Sequence, residues 1–331
     1  MPSLTIAGHG SVRQAGSALV RHAARWALRR LPLRRQLLRV GAALPPGLKG
    51  SHSLRLLAAV HAGTAFEAGA TLRTNCGISS RYSLEMPATT SDVYLYGTPN
   101  DHRGERGALQ LARILSDRSD VFIDVGAHRG LFVFSVRHTT PSVPIFYFEP
   151  SEPLFRALEA NVARNHLSGV VGFQCAIGRS TGRARWFENV SDSLSSSLTE
   201  MFRATHDTIE TDVEVLSFGD LCRKEGVQNL CVKVDIEGAE FEFLEGARDG
   251  LWRISFLIME VLGPAISKGF VRALQEASGM EAYYINDVRL EHARDGTFRY
   301  AESQYNWLFC RLAPRALSAV LSDTPLVVVS G

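Results

Sequence analysis

The apolar run VFIDV carries Asp124 near its end, and two glycines follow it in the segment Asp124-Val-Gly126-Ala-His128-Arg-Gly130. Glycines at this point let the backbone turn tightly and approach a ligand before a helix begins. The middle position is His128 rather than glycine, so the segment is not the G-x-G-x-x-G fingerprint that brings a backbone close to a pyrophosphate. The segment therefore favours a ligand without phosphates, with an ordinary glycine turn between a strand and a helix as the alternative.

A second acid, Glu149, ends the apolar run IFYFE nineteen residues after Gly130. An acid at this place can accept hydrogen bonds from both hydroxyl groups of a ribose. The alternative is a charge favoured by the N-terminal dipole of a helix that begins near Glu152. Asp124 and Glu149 together indicate a nucleoside cofactor more strongly than either acid alone. S-adenosylmethionine, whose amino group Asp124 would attract, is the candidate that needs no phosphate contact.

A third group, Lys233-Val-Asp235-Ile-Glu237-Gly-Ala-Glu240, follows the apolar run LCV. The alternation of a strand predicts that Lys233, Asp235 and Glu237 lie on one side. Charged groups of mixed sign in a central strand are costly to bury, so they are expected to be paired or functional. The alternative is an ion-pair cluster that closes the edge of a sheet.

The elements that position these groups follow from the hydrophobic pattern. Over about 140 residues from Val121, apolar runs alternate with segments of helical spacing, which predicts an open, largely parallel sheet with helices on both faces. In such a doubly wound α/β domain, ligands bind beyond the carboxyl ends of the strands, where all three groups lie. The predicted strands are SSRYSLEM, DVYLYG, VFIDV, IFYFE, VVGFQCA, LCVKVDI and ISFLIMEV, and helical spacing marks residues 105–115, 131–136, 152–166, 218–224 and 239–247.

The N-terminal segment differs in charge from the rest of the chain. Residues 1–66 carry ten Lys or Arg and no acid, whereas the remainder has 26 basic and 34 acidic residues. Residues 17–40 have the spacing of a basic amphipathic helix divided at Pro32, and the Pro/Gly-rich residues 41–53 are typical of a linker. A helix docked on the main domain, peripheral contact with an anionic surface, and an Arg-rich targeting peptide are the open alternatives.

Composition excludes several classes of protein. The chain is 45% hydrophobic and 21% charged, as in ordinary globular proteins, and no apolar window approaches the roughly 18 residues that span a membrane. Its five cysteines are odd in number and widely spaced, which favours a reducing, cytoplasmic location and argues against a structural zinc site. The acidic excess beyond the N-terminal segment argues against nucleic acid as a substrate.

Taken as a set, the motifs resemble the FkbM-type S-adenosylmethionine-dependent methyltransferases. The resemblance covers about residues 92–312. It rests on VFIDVGAHRGLFVFS, FEPSEPLFRALEANVARN, Ala176-Ile177-Gly178, LCVKVDIEGAEFEFLEGA, LIMEV and the late NWLF at 306–309. The family usually has Asn where this chain has His128, and a histidine can donate and accept hydrogen bonds at a similar place.

The resemblance implies a Rossmann-like class I methyltransferase sheet. Together with the composition of the N-terminal segment and its linker, it predicts a methyltransferase domain at residues 56–313, an extension and linker at 1–55 and a tail at 314–331. It implies that three groups of residues divide the cofactor between them. Asp124, Gly126, His128 and Gly130 would line its methionine portion, Glu149 would bind its ribose, and Cys175, Ala176 and Ile177 would border its adenine. Lys233, Asp235 and Glu237 would face the methyl group and the acceptor, and the Ser-rich residues 192–198 would help close the site.

The implied reaction is methyl transfer to the hydroxyl oxygen of a sugar or secondary metabolite. Asp235 or Glu237 would accept the proton and Lys233 would orient the carboxylate. No metal is assigned to these residues, although a divalent cation bound by the carboxylates is left open, as is the oligomeric state. A catalytically silent nucleoside-binding scaffold on the same fold and an NAD-type enzyme are the alternative functions.

Overall fold

A computed structural model describes residues 65–73, 79–87, 103–189, 196–200, 208–286, 288–293 and 305–329. The predicted basic helix and linker, the run DVYLYG at 92–97 and residues 192–195 of the Ser-rich segment lie outside this part of the chain. The domain boundaries at residues 55 and 313 remain predictions. Within the part that is described, none of the helices has the length and apolar composition needed to cross a membrane.

The described residues form alternating strands and helices. The strands are β1 (Ala65–Arg73), β2 (Ser79–Pro87), β3 (Val121–Val125), β4 (Ile145–Phe148), β5 (Val170–Phe173), β6 (Ala176–Gly178), β7 (Gly182–Asn189), β8 (Thr208–Ser217), β9 (Leu230–Val234), β10 (Ile254–Glu260), β11 (Glu281–Asn286), β12 (Arg289–His292), β13 (Asn306–Cys310) and β14 (Val327–Val329). The helices are α1 (Arg103–Ser116), α2 (Leu131–Thr139), α3 (Glu152–Arg164), α4 (Phe218–Glu225), α5 (Glu240–Ala247), α6 (Gly263–Ser267), α7 (Phe270–Ser278) and α8 (Pro314–Val320), with a 3₁₀ turn at Leu251–Arg253.

The main sheet has the order β14-β12-β11-β13-β10-β9-β3-β4-β5. Strands β5, β4, β3, β9 and β10 are parallel, whereas β13 is antiparallel to both of its neighbours, β10 and β11. The chain runs outward from β3 to β5 and returns to β9 on the other side of β3, so the strand order reverses between β3 and β9. The carboxyl ends of these two strands are where an open α/β sheet binds its ligand.

Central parallel strands are covered on both faces, which explains why β3 and β9 read as unbroken apolar runs. Neighbouring residues Phe122 and Ile123 of β3 are both fully buried but belong to different cores. Side chains of α1 and α2 pack on the Phe122 face, and those of α4, α5 and α7 pack on the Ile123 face. The predicted doubly wound architecture with helices on both faces is confirmed for the described residues.

Two features of the fold were not predicted. One is the antiparallel half of the main sheet, and the other is a small sheet of order β6-β8-β7. Strands β7 and β8, GRARWFEN and TIETDVEVLS, expose most residues in their outer halves, so they lack the apolar run by which the central strands were identified. The small sheet nevertheless contributes to the site.

Candidate active site

The carboxyl ends of β3 and β9 touch at Gly126. This residue has a φ of 74°, and a Cβ atom placed on it would lie 1.8 Å from the carbonyl oxygen of Asp235. The backbone N–H of Asp235 donates to the carbonyl oxygen of Val125 at 3.0 Å, which holds the two chain segments together. Gly126 is therefore required both by its left-handed conformation and by the lack of space for a side chain.

The loop after β3 is tied to Glu149 through the backbone. The backbone N–H of His128 donates to Oε2 of Glu149 at 2.8 Å, and that of Ser151 donates to Oε1 at 2.9 Å. His128 has a φ of 51°, a region in which Asn and His are enriched among residues other than glycine. The conformation gives a physical reason why His can replace Asn here, because this contact uses the main chain.

Glu149 is 4% exposed, and burial raises its pKa to about 7, with the charges of Glu188 and Asp124 adding to the effect. The hydrogen bonds from Ser151 and His128 oppose this shift. Each carboxylate oxygen has two lone pairs, so both oxygens can accept another hydrogen bond while they hold the loop. The bond to Ser151, the N-cap residue of α3, shows that Glu149 also anchors the start of that helix.

A pocket that is partly open to solvent lies over this edge of the sheet. Many of the predicted site residues line it: Gly126, His128, Glu149, Cys175, Ala176, Ile177, Asp235 and Glu237. Ser196 and Leu198, from the Ser-rich segment that was expected to help close the site, also line it. Sequence reasoning did not identify the other lining residues, which are Val125, Phe148, Pro150, Leu154, Trp186 and Ile236.

Asp124, Lys233 and Gly130 are not among the described residues that line the pocket. Asp124 is 2% exposed and pairs in register with Lys233 inside the sheet. Gly130 has a φ of 81°, and a Cβ atom there would lie 2.4 Å from Cδ1 of Leu158. The structure thus gives Gly130 a packing role between α2 and α3, and direct cofactor contacts of these residues remain a prediction.

The small sheet and the Ser-rich segment form one side of the pocket. Phe187 of β7 and Ser197 exchange two backbone hydrogen bonds of 2.9 and 3.1 Å. The hydroxyl of Ser197 also donates to the carbonyl oxygen of Ile236 at 3.5 Å, which links this segment to the turn after β9. The sequence signal for Trp186 was its position beside Phe187 in the mostly polar strand GRARWFEN.

Lys233 is a buried cation beneath the pocket. Its side chain is 2% exposed, and its Nζ lies 3.5 Å from Oδ2 of Asp235 and 5.0 Å from the centre of the Phe132 ring. The ammonium also donates to the carbonyl oxygen of Val234 at 3.3 Å. This arrangement supports the predicted pairing of Lys233 with Asp235.

Glu237 reaches the pocket by a route that the sequence did not predict. Strand β9 ends at Val234, so the prediction that strand alternation brings Glu237 to the same side as Lys233 was wrong. Instead, Glu237 and Gly238 form a turn with φ values of 48° and 96°. A left-handed glutamate costs about 1–2 kcal/mol, so this turn is strained at the site.

Glu237 belongs to a group of three carboxylates. One oxygen each from Asp235, Glu237 and Glu260 lies within 4.8 Å of the others. The pKa of Glu237 is raised well above its ordinary value by burial and by the charges of Asp235, Glu260 and Glu240, against which Lys233 acts. Sequence reasoning missed Glu260, although it ends the predicted strand ISFLIMEV as the other acids end theirs. A carboxylate with a raised pKa is a stronger general base than an ordinary one.

The topology and the pocket define a doubly wound α/β protein with a candidate small-molecule site at the switch between β3 and β9. The family model described as Methyltransferase FkbM domain matches residues 124–299, which is more than half of the 331 residues. The chain belongs to this family, as the motifs predicted, and the protein is a methyltransferase.

Relatives with names agree with this family. The chain is 27% identical over 202 residues to methyltransferase sdnD of Sordaria araneosa, covering 52% of this chain and 77% of that protein. It is 30% identical over 190 residues to the 31-O-demethyl-FK506 methyltransferase FkbM of Streptomyces tacrolimicus, with coverages of 48% and 72%. It is 26% identical over 178 residues to the hexuronic acid methyltransferase AglP of Haloferax volcanii, with coverages of 54% and 70%.

Proposed function

We propose that this methyltransferase binds S-adenosylmethionine in the pocket and transfers its methyl group to a hydroxyl oxygen of a sugar or other small secondary metabolite. The observation that carries the proposal is Glu149, a buried acid at the pocket wall whose two oxygens are held by backbone N–H groups of His128 and Ser151. Hydrogen bonds fix its orientation while leaving lone pairs for two ribose hydroxyls.

The residues present fit this cofactor. Gly126 lines the pocket, so the backbone after β3 would border the methionine portion directly. Glu149 would bind the ribose. Phe148, Leu154 and Ile177 supply apolar wall against which an adenine could pack, next to Cys175 and Ala176. The bound cofactor would supply a methyl group already activated by a sulfonium.

The chain's own contribution to the chemistry is positioning and proton removal. Orienting two reactants can contribute about 7–11 kcal/mol to a reaction. Asp235 or Glu237, both at the pocket wall, would accept the proton of the acceptor hydroxyl, an effect typically worth about 10²–10⁴ in rate. Lys233, 3.5 Å from Asp235, would orient that carboxylate from behind the wall.

A hydroxyl-bearing small molecule is the acceptor class that the relatives favour. One relative is named for 31-O-demethyl-FK506 and another for hexuronic acid. The carboxylates along the described pocket edge disfavour a nucleic-acid acceptor, because a phosphate backbone calls for clustered Lys and Arg. The acceptor is therefore expected to be a small hydroxyl-bearing compound rather than a nucleic acid.

Calorimetric titration of the full chain with S-adenosylmethionine and with NAD tests the cofactor. We expect one S-adenosylmethionine per chain and no saturable binding of NAD. Methyl-labelled cofactor incubated with a panel of sugar and polyketide hydroxyls then tests the reaction, and label is expected on oxygen. Saturable NAD binding, or label recovered on nitrogen or carbon, would contradict the proposal.

A further inference from the structure

The three carboxylates beside the pocket have the spacing of a cation site. One oxygen from each of Asp235, Glu237 and Glu260 lies within 4.8 Å of the others. Oxygen ligands bind Mg²⁺ or Ca²⁺ at about 2.0–2.6 Å, so two oxygens on opposite sides of one ion lie about 4–5 Å apart. The three oxygens are therefore close enough together to share a single ion.

A fourth oxygen donor, that of Asn306, lies beside this group and is an independent sign of a ligand. Asn306 begins β13 and pairs directly with Glu260 of β10 in antiparallel register. Residues paired in this way project from the same face, with Cβ atoms about 4.5–5.5 Å apart. Asn306 is 4% exposed, and its Oδ1 has no hydrogen-bond partner among the described residues. A buried amide oxygen without a partner costs free energy, which a bound cation would offset.

Strand register places Lys233, Glu260 and Asn306 on one face of the sheet. Lys233 pairs with Ile258, which stands two residues before Glu260, and Asp235 stands two residues after Lys233. Within the described part of the chain, Oδ1 of Asp235 is also buried and lacks a hydrogen-bond partner, while its Oδ2 lies 3.5 Å from Nζ of Lys233. Repulsion among three carboxylates this close together is what a bound cation would relieve.

We propose that Asp235, Glu237, Glu260 and Asn306 bind one hard divalent cation, Mg²⁺ or Mn²⁺. All four donors are oxygens, the ligand set that these ions prefer. Asp235 and Glu237 line the pocket, so the ion borders it. If the proposed function holds, an ion with open coordination positions there suits acceptors that present two adjacent oxygens, such as a sugar diol or a hydroxy acid.

Titration of the chelator-treated full chain with Mn²⁺, by calorimetry and by electron paramagnetic resonance, tests the site without any methyl transfer. We expect one Mn²⁺ per chain with a Kd below about 1 mM. Glu260→Gln should weaken this binding at least tenfold. The matched control is Glu276→Gln on α7, where the glutamate is exposed and pairs with Arg272, and its Mn²⁺ affinity should equal that of the unmodified chain.

Substitution of Asn306 separates a ligand from a structural residue. Asn306→Leu should weaken Mn²⁺ binding about tenfold, whereas Asn306→Asp keeps an oxygen, adds a charge and should bind Mn²⁺ at least as tightly as the unmodified chain. Absence of saturable Mn²⁺ binding to the unmodified chain, or unchanged affinity in both Glu260→Gln and Asn306→Leu, overturns the proposal. Cofactor binding by the metal-free protein is measured separately, so the cation site and the proposed function can fail independently.

Discussion

The two chain segments that meet at the pocket, the loop after β3 and the turn after β9, hold their acids in different ways. Both pass through a left-handed residue other than glycine, His128 with a φ of 51° and Glu237 with a φ of 48°. Both present an acid whose pKa is raised. Two backbone N–H groups hold the oxygens of Glu149. Neighbouring carboxylates surround Glu237 instead.

This difference separates two tasks. Glu149 is positioned in advance by hydrogen bonds within the fold, which suits the binding of a ligand whose contacts do not change during reaction. The carboxylate group around Glu237 carries repulsion that a proton or a cation can relieve, which suits chemistry in which charge moves. Under the proposed function, the loop after β3 would hold the cofactor and the turn after β9 would take part in proton transfer.

The largest expected effect comes from Gly126→Ala, because it forces apart the two segments being compared. A Cβ atom would lie 1.8 Å from the carbonyl oxygen of Asp235, and the left-handed φ adds its own cost. We expect a loss of about 3 kcal/mol or more in the free energy of unfolding, measured by chemical denaturation. Gly279→Ala is the control, since Gly279 has a φ of 67° with nothing within 4 Å, and it should lose about 1 kcal/mol. Equal losses in both variants would mean that the segments are not in close contact.

Removal of a carboxylate from the turn after β9 should abolish most of the turnover. On any accepted substrate, Asp235→Asn and Glu237→Gln should lower kcat by about 10²-fold or more if these groups take part in proton removal. The Kd for cofactor should stay nearly unchanged, because Glu149 is intact. Glu245→Gln on α5, where the acid pairs with Arg179 at the surface, is the control. Turnover like that of the unmodified chain in both site variants would mean that these acids serve only as a structural ion-pair cluster with Lys233.

Glu149→Gln should affect the other segment and weaken cofactor binding by about 1–3 kcal/mol, or roughly 5- to 150-fold in Kd, as measured by calorimetry. The amide NH₂ cannot accept a hydrogen bond, so either His128 or Ser151 loses its acceptor. Glu152→Gln tests the alternative of a helix-dipole charge, since Glu152 lies in the first turn of α3 and is paired with Arg156. Equal weakening in both variants would support the dipole explanation and count against the ribose contact.

The raised pKa of Glu149 also predicts how stability depends on pH. The folded protein holds this proton up to about pH 7, whereas an exposed glutamate has an ordinary pKa of 4.5. Between these values the folded state binds more protons, so the free energy of unfolding should fall as pH rises, by about 2 kcal/mol between pH 5 and 7. Urea denaturation of the unmodified chain and of Glu149→Gln at several pH values measures this fall in the free energy of unfolding, which should be missing from the variant. Identical pH slopes would contradict it.

The smallest effect expected is a gain in stability at the turn after β9. Glu237→Gly relieves the left-handed strain and removes a carboxylate from the cluster, so the free energy of unfolding should rise by about 1 kcal/mol. Glu237→Gln keeps the backbone strain and removes only the charge, which separates the two causes. A loss of stability in Glu237→Gly would show that the carboxylate makes interactions in the folded protein that outweigh the backbone strain.

The central strands and their terminal acids could be predicted because parallel strands buried on both faces appear as apolar runs that end abruptly. Glu149 and Asp235 were found in this way. Trp186 could not be found, because its strand is polar and reaches the pocket through contacts with distant segments. The left-handed turns at His128 and Glu237 were also beyond prediction, since their backbone conformation is set by tertiary contacts rather than by the local sequence.

The absence of a side chain at Gly126 has a mechanical consequence for the pocket. Its backbone abuts the carbonyl of Asp235, so neither segment can move toward the other. A shift of the turn after β9 toward the loop after β3 would therefore be transmitted to that loop. Under the proposed function, the binding free energies of cofactor and acceptor are expected to be coupled, and that coupling must be equal in both directions.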